Sequence, residues 1–558
     1  VVVSTIDYMM SATETVRGGR FLLPTLRLLS SDLVIDEIDD FGAQDSLAIS
    51  RLVHLAGIMG RKVMISSATI PPDLASGLFN AYQAGRQLFT SFKKKKYSRI
   101  HCLWVDEFKS IIKTIPIDKS TLKNFNEFHD SFVFSRSARL TKEINKHLAY
   151  DIECDSIKKC PNLSDVEKIN EYFSLIKSHC IALHNKNCKE DNTTNKRVSF
   201  GLIRVANVRP CIELSNYLLN TDWKNFEIKI MAYHSREILL LRSCKENYLD
   251  SVLRRKTING KELGGLNDII VRQHLEKTPK KDLLFIVVAT SVEEVGRDHD
   301  FDWAIVEPSS FRSIIQLAGR VLRHRALDSD IKEPNIGLLE FNIKGLLGKN
   351  VAFNHPGFES SPSFILKTKD LKFLVPWDAQ GYLKVNAIPR ITKNTPLRPT
   401  EQLADLEHSV IQSLLCDMSQ KGPGSLHGWT VESWFLTALP QRIHPFREKN
   451  SDIQLWAISE HTKLEFCEKD SKGEIIPRSE IYGIQVEQLT QEAEEHLWLK
   501  LDYKTELKKQ SSIGDIDDPK KIALKFGEIL LKNIDQTKIN SYSIKYIENL
   551  GLLCGGSL

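Results

Sequence analysis

Apolar and polar positions alternate in blocks along the first part of the chain, each block about as long as a strand or a helix. VVVST, at residues 1–5, is a β-branched apolar run that reads as a buried strand. DLVIDEIDDF is an apolar run ending in carboxylates. SLAISRLVHLAGIMG carries helical periodicity and ends at Gly60, and RKVMISSAT is a further buried strand stopped by Pro71 and Pro72. Strands separated by helices predict a parallel sheet covered on both faces. From about residue 110 to 196 the pattern is mixed and polar, and KNCKEDNTTNKR reads as a loop. Alternation then resumes: VSFGLIRVA as strand, PCIELSNYLLN as helix, FEIKIMAYHS as strand and a long charged helical stretch. The strongly buried strand DLLFIVVATS, the short strand DWAIVEP and the helix FRSIIQLAGRVLRHR follow, and NIGLLEFN is placed to close this second sheet.

Beyond about residue 345 the pattern weakens. Pro376, Pro389, Pro396 and Pro399 mark a connecting region, and residues from about 400 mix helical stretches such as TEQLADLEHSVIQSLLCDM with Trp-bearing segments. No internal repeat of solenoid length is present. The expected organisation is α/β. An incomplete first parallel-sheet domain (1–130) and a second (197–345) are joined by a connecting segment (131–196). A linker (346–400) and a C-terminal mixed, mainly helical accessory domain (401–558) follow. With 558 residues the chain is too long for one core.

Composition changes this picture little. Apolar content of 42% and charged content of 26% are ordinary for a globular protein. No apolar run approaches the ~20 residues that cross a bilayer, so no membrane role is expected. A net charge of +5 permits nucleic-acid binding without arguing for it. The run Lys93, Lys94, Lys95, Lys96 reads first as a solvated loop and second as a phosphate contact. Ten irregularly spaced cysteines point to a reducing cytoplasm rather than a disulfide scaffold. Cys154, Cys160, His179, Cys180, His184 and Cys188 form the densest group of soft ligands. Unpaired thiols are the expected reading, with zinc as the alternative. The chain begins at Val1, inside a run that reads as a strand, and is therefore expected to be a piece of a longer protein.

Four segments carry chemistry. Asp36-Glu37-Ile38-Asp39 follows an apolar run, which puts carboxylates at the carboxyl edge of a parallel sheet, where ligands bind in open α/β folds. In nucleotide hydrolases the first such carboxylate holds Mg²⁺ and the second orients or deprotonates the attacking water. Ser67-Ala68-Thr69 ends the next strand, one helix later, where hydroxyls reach those carboxylates and sense the neighbouring domain. Gln316, Gly319, Arg320 and Arg323 are spaced Q-x-x-G-R-x-x-R in a helical stretch. The two arginines, three apart, are expected on one helical face and suit the charge at a γ-phosphate. Gly319 permits close approach of a backbone or nucleotide. Thr290 and Ser291 through Gly296 and Asp298 follow another buried strand. They offer hydroxyl and backbone groups to a strand and a carboxylate to a nucleotide. His234 and Ser235, at the end of a strand, are candidates for a nucleic-acid phosphate.

This order resembles the superfamily-two helicases, whose motor is two RecA-like domains. The resemblance matches Asp36 and Glu37 to motif II, Ser67 to Thr69 to motif III, Thr290 through Asp298 to motif V, and Gln316, Gly319, Arg320 and Arg323 to motif VI. Ser4, Thr5 and Asp7 fall where a strand-binding motif of the first domain lies. The phrases VSTIDYMM, GGRFLLPTLRLLSSDLVIDEIDDF, SATIPPDLASGLFNAYQAGR and EPSSFRSIIQLAGRVLRHR further resemble the helicase–nuclease of type I CRISPR systems, subtype I-F.

That resemblance implies a cytoplasmic, ATP- and Mg²⁺-dependent motor that tracks on single-stranded DNA and degrades invader DNA. Its partners would be a CRISPR RNA-guided surveillance complex and the adaptation integrase. It implies Glu37, Gln316, Arg320 and Arg323 as catalytic, and Asp36 (for Mg²⁺), Gly296, Asp298 and Gly319 as nucleotide-binding. Ser67, Ala68 and Thr69 would couple the domains, and Thr5, His234, Ser235 and Thr290 would contact the strand. No G-x-x-x-x-G-K-[ST] phosphate loop and no His-Asp nuclease cluster occur in these residues. Both, with the nuclease's divalent metal, are expected upstream, so this chain alone is expected to hydrolyse ATP poorly. The motifs by themselves also fit another superfamily-two RNA or DNA helicase, or a binding remnant.

Overall fold

The computed structural model describes residues 2–13, 19–94, 98–160, 162–258, 261–262, 264–294, 296–447, 452–460, 463–470, 472–514, 518–531 and 543–555. Lys95 and Lys96 of the basic run lie outside them; Lys93 and Lys94 are exposed.

The first lobe holds α1 (Ile6–Met10), α2 (Leu22–Ser30), β1 (Leu33–Ile35), α3 (Ala43–Ile58), β2 (Val63–Ile65) and α4 (Pro72–Phe92). The hairpin β3 (Arg99–Val105) and β4 (Ser110–Pro116) and then α5 (Thr121–Leu140) complete it. β1 and β2 pair in parallel, Leu33 opposite Val63 and Ile35 opposite Ile65. Leu33 and Ile35 turn into the core, whereas Val34 and Met64 are 63% and 59% exposed, so this sheet is covered on one face only. The expected strand at residues 1–5 is corrected for the described residues 2–5: Val2 and Val3 are exposed, among the described residues no strand pairs with them, and the chain turns into α1 at Ile6. Two glycines set the α3–α4 crossing. A Cβ on Gly57 would lie 2.6 Å from the Tyr82 carbonyl, and one on Gly85 would lie 2.2 Å from that of His54, so the backbones touch directly.

The second lobe begins earlier than the patterning suggested. β5 (Leu148–Ile152), α6 (Asp155–Lys158) and α7 (Asp165–Asn187) precede the hairpin β6 (Lys189–Asp191) and β7 (Lys196–Arg204), where a loop was expected. Then come α8 (Val208–Asn220), β8 (Phe226–Tyr233), α9 (Leu239–Val252) and the small pair β9 (Thr257–Ile258) and β10 (Lys261–Glu262). α10 (Ile269–Lys277), β11 (Asp282–Ala289), β12 (Trp303–Val306), α11 (Phe311–Ala318) and β13 (Ile336–Leu339) follow. After α12 (Ile343–Leu346) and α13 (Leu371–Leu374), β14 (Tyr382–Lys384) returns to the far edge. The sheet order is β14-β5-β13-β12-β7-β11-β8, parallel along this path except for β14, with β6 added antiparallel to β7. Thus Leu148–Ile152 of the expected connector and Tyr382–Lys384 of the expected linker are sheet strands. β11 is buried on both faces, its side chains alternating between two cores.

The remainder divides between the lobes. α14 (Ile388–Ile391), α15 (Leu403–Leu415), α16 (Leu426–Val431) and α17 (Leu439–Ile443) form a helical group. α15 and α16 lie on α3 and α4, and α15 also meets α11. One apolar core runs through the first lobe, these helices and one face of the large sheet. Residues 453–554 are mixed rather than mainly helical. They contain β15 (Ile453–Glu460), β16 (Lys463–Lys469), β17 (Ile475–Pro477), β18 (Ile484–Glu487), α18 (Gln491–Glu495), α19 (Tyr503–Gly514), α20 (Pro519–Phe526), β19 (Glu528–Leu531), β20 (Ile544–Ile547) and β21 (Gly551–Cys554). They close over the second lobe. The chain at His496–Trp498 bonds both sides of Ile230, which covers the open edge of β8. Among the described residues no helix is long and apolar enough to cross a membrane.

Candidate functional site

The β1–β2 register builds the acidic end of the site. Strands paired thirty residues apart place the groups that follow them at the same offset. Asp36 Oδ1 accepts from Ser66 Oγ at 2.5 Å, Glu37 Oε2 from Ser67 Oγ at 3.5 Å, and buried Asp39 Oδ2 from Thr69. Ala68 contributes its carbonyl, which accepts from Arg136 at 3.2 Å. Asp36 and Glu37 stay exposed at the carboxyl edge. Glu37 sits at φ 50°, ψ 45°, a left-handed conformation that costs an L-residue about 1–2 kcal/mol and accompanies functional sites.

The second lobe meets this loop through α11. Gln316 Nε2 donates to Asp40 Oδ1, and Arg312 donates to the carbonyls of Asp39 at 2.5 Å and Phe41 at 3.3 Å. Burial pushes Asp40 up to about 6, helped by the charges of Glu37 and Asp39 and opposed by Arg312 and Gln316.

The two motif arginines are not on one helical face, as the spacing predicted. α11 ends at Ala318, Gly319 starts the turn, and Val321 bridges Phe301 while Leu322 takes φ 51°. A Cβ on Gly319 would meet only carbonyls of its own turn, at 3.3 and 3.6 Å, so no other backbone approaches it. Arg320 is buried and donates to the carbonyls of Glu294, at 2.7 Å, and Arg297. Burial lowers its pKa, with Arg323 adding to the fall and Glu293, Glu37 and Asp298 opposing it. Arg323 turns instead to Asp298, at 3.0 Å. Burial would raise Asp298, but Lys256, His324 and Arg323 outweigh it and hold it at about 2. Gly296 is exposed at φ 67°.

Two expected strand contacts are corrected. His234 is fully buried, its Nε2 paired with the Leu550 carbonyl at 2.8 Å, and burial lowers it to about 3; it ties the lobe to the C-terminal strands. Thr290 is also enclosed, at 5% exposure, and its N–H donates to the Tyr233 carbonyl at 3.3 Å. Ser235 is half-buried and Thr5 is exposed. The cysteine-rich stretch does not converge either. Cys154 and Cys180 are core residues, His184 is held by Ser199 and Asp282, and His179 by Tyr150. Among the described residues no three His, Cys, Asp or Glu side chains are grouped to hold a metal. Mg²⁺ needs less from protein, often one or two carboxylates with phosphate and water completing the shell, and the exposed oxygens of Asp36 and Glu37 fit that demand.

Sequence reasoning missed Arg312, Asp40, Arg390 and Glu407. Arg312 lies four residues before Gln316, so one helical turn would have pointed to it; Arg390 and Glu407 gave no local signal.

Sheet and site together define a two-lobed α/β protein that carries the acidic and arginine motifs of the DExD/H helicase class. A family model described as CRISPR-associated nuclease/helicase Cas3, C-terminal, matches residues 197–326. The chain is similar to the Cas3 helicase–nucleases of subtype I-F/YPEST. It is 36% identical to that of Pseudomonas aeruginosa over 553 residues, 96% of this chain and 48% of the relative. It is 37% identical to that of Pectobacterium atrosepticum over 486 residues, 84% and 42%. The chain thus spans about half the length of the curated relatives it matches. A crystal structure of T. fusca Cas3 with ATP aligns with 60% of this chain and 32% of that one, at 16% identity and a TM-score of 0.36.

Proposed function

We propose that this chain is the motor part of a CRISPR interference helicase–nuclease, one that uses ATP to move along single-stranded DNA so that invader DNA is unwound and degraded. One observation carries the reading. Two exposed carboxylates stand at the carboxyl edge of a parallel sheet, and Gln316 and Arg312 of the other lobe bond the loop that carries them.

In this reading ATP occupies the cleft between the lobes. Asp36 would hold Mg²⁺, which when bound neutralises charge on the phosphates. Glu37 orients the attacking water, with Ser67 steadying its carboxylate. Arg320 supplies positive charge from the second lobe, and Gln316 reports closure by its bond to Asp40. Thr5 and Ser235 are the remaining strand-contact candidates. The phosphate loop and the nuclease metal of the whole protein are assigned outside these 558 residues, and an RNA-guided surveillance complex and the adaptation integrase are its proposed partners.

Glu37→Gln in the whole protein tests the reading. Turnover should vanish while ATP binding persists, and wild-type turnover would remove Glu37 from its role. Stimulation by single-stranded DNA but not RNA separates this motor from an RNA helicase.

A further inference from the structure

Arg390 is fully buried on the short helix α14, more than three hundred and fifty positions from the acidic loop it touches. Its guanidinium reaches two carboxylates in different elements, Asp39 of that loop and Glu407 of α15. The other oxygen of Glu407 accepts from the backbone N–H of Phe311, the first residue of α11, at 2.5 Å. Arg312, one residue on, donates back to the Asp39 carbonyl. Phe358 lies beside both guanidiniums, 5.8 Å from each. The result is a closed circuit from motif II through Arg390 and Glu407 to the start of the motif VI helix and back.

The circuit crosses the cleft. α15 lies on α3 and α4, so Glu407 belongs with the first lobe, while α11 belongs to the second. The first N–H groups of a helix have no partner within it and favour a negative charge beside them. Glu407 meets that need for Phe311 across the cleft, and Arg390 keeps the Glu407 and Asp39 carboxylates together out of water.

We propose that Arg390 and Glu407 are positioning residues for cleft closure, through which the helices after the second sheet hold motif II against the motif VI helix. Neither touches the reacting groups. The inference rests on the ATP-site reading for its kinetic test alone.

Hydrogen exchange decides the geometry in the chain itself. Arg390→Met and the milder Glu407→Gln should each speed exchange tenfold or more both in residues 36–42 and in residues 308–318, and Arg390→Lys should restore part of the protection. Lys245→Met, which breaks the buried Lys245–Glu237 pair elsewhere in the second lobe, should leave both segments unchanged. Exchange confined to 388–407, or an equal rise in the Lys245 variant, overturns the proposal. In the whole protein Glu407→Gln should lower kcat for ATP at least tenfold with KM within twofold, and a wild-type kcat overturns the proposal. If wild-type protein shows no turnover, the ATP-site reading fails and exchange still decides the bridge.

Discussion

Asp40 offers a test of the site that needs no activity. Replacing it by Asn removes a carboxylate that burial, Glu37 and Asp39 all disfavour as an anion, while leaving an oxygen for Gln316. A rise from 3.8 to about 6 corresponds to about 3 kcal/mol between the protonation states. The side chain is only partly buried, so screening reduces this to about 1.5 kcal/mol. The sign follows from linkage. Folded Asp40 keeps its proton to higher pH than the unfolded chain does, so its favourable contribution is present below about pH 4 and is lost as pH climbs through 6. Asp40→Asn should therefore stabilise the protein by about 1.5 kcal/mol near pH 7.5 and by about half as much at pH 5. Urea unfolding followed by tryptophan fluorescence reads both values. A variant less stable than wild type near neutral pH, or a gap that does not change with pH, would refute the argument.

Other outcomes follow from the same contacts. Gly85→Ala should cost about 1–3 kcal/mol by urea unfolding, because its methyl has no room against the His54 carbonyl. Arg204→Met should cost about 3–5 kcal/mol by the same measurement, since it leaves Glu294 buried without its partner. Arg320→Lys in the whole protein should lower ATP turnover by about 10³-fold or more, read as kcat in a coupled assay, whereas Arg323→Ala, which loses exposed contacts to Asp298 and to the Gly319 carbonyl, should cost less than tenfold.

What the sequence revealed was local or repeated locally. DLLFIVVA could only be a strand buried on two faces, and the acidic and hydroxyl motifs could be placed at strand ends because each followed an apolar run. The end of α11 was not visible, since the chain leaves the helix after Ala318 so that Val321 can bridge the distant Phe301, and no local propensity signals it. His234 looked like a surface residue because the carbonyl that buries it belongs to Leu550, more than three hundred positions away. Arg390 and Glu407 were silent for the same reason: a lone charge in a polar stretch gives no hint that a distant carboxylate awaits it. The hairpin at Arg99–Pro116 was hidden because one of its faces is exposed and carries Leu103, Val105 and Ile112, which blurs the alternation.

The thirty-residue offset of β1 and β2 makes three hydroxyl–carboxylate contacts depend on a single degree of freedom. A residue gained or lost in the turns flanking α3 changes the offset in number and can be absorbed before β2 begins. The same change inside either strand slips the register, so Ser66, Ser67 and Thr69 all miss their carboxylates together and the side chain of Val34 is driven inward in place of its neighbours. Length variation in this lobe should therefore gather between Ile58 and Val63 and stop abruptly at the strands.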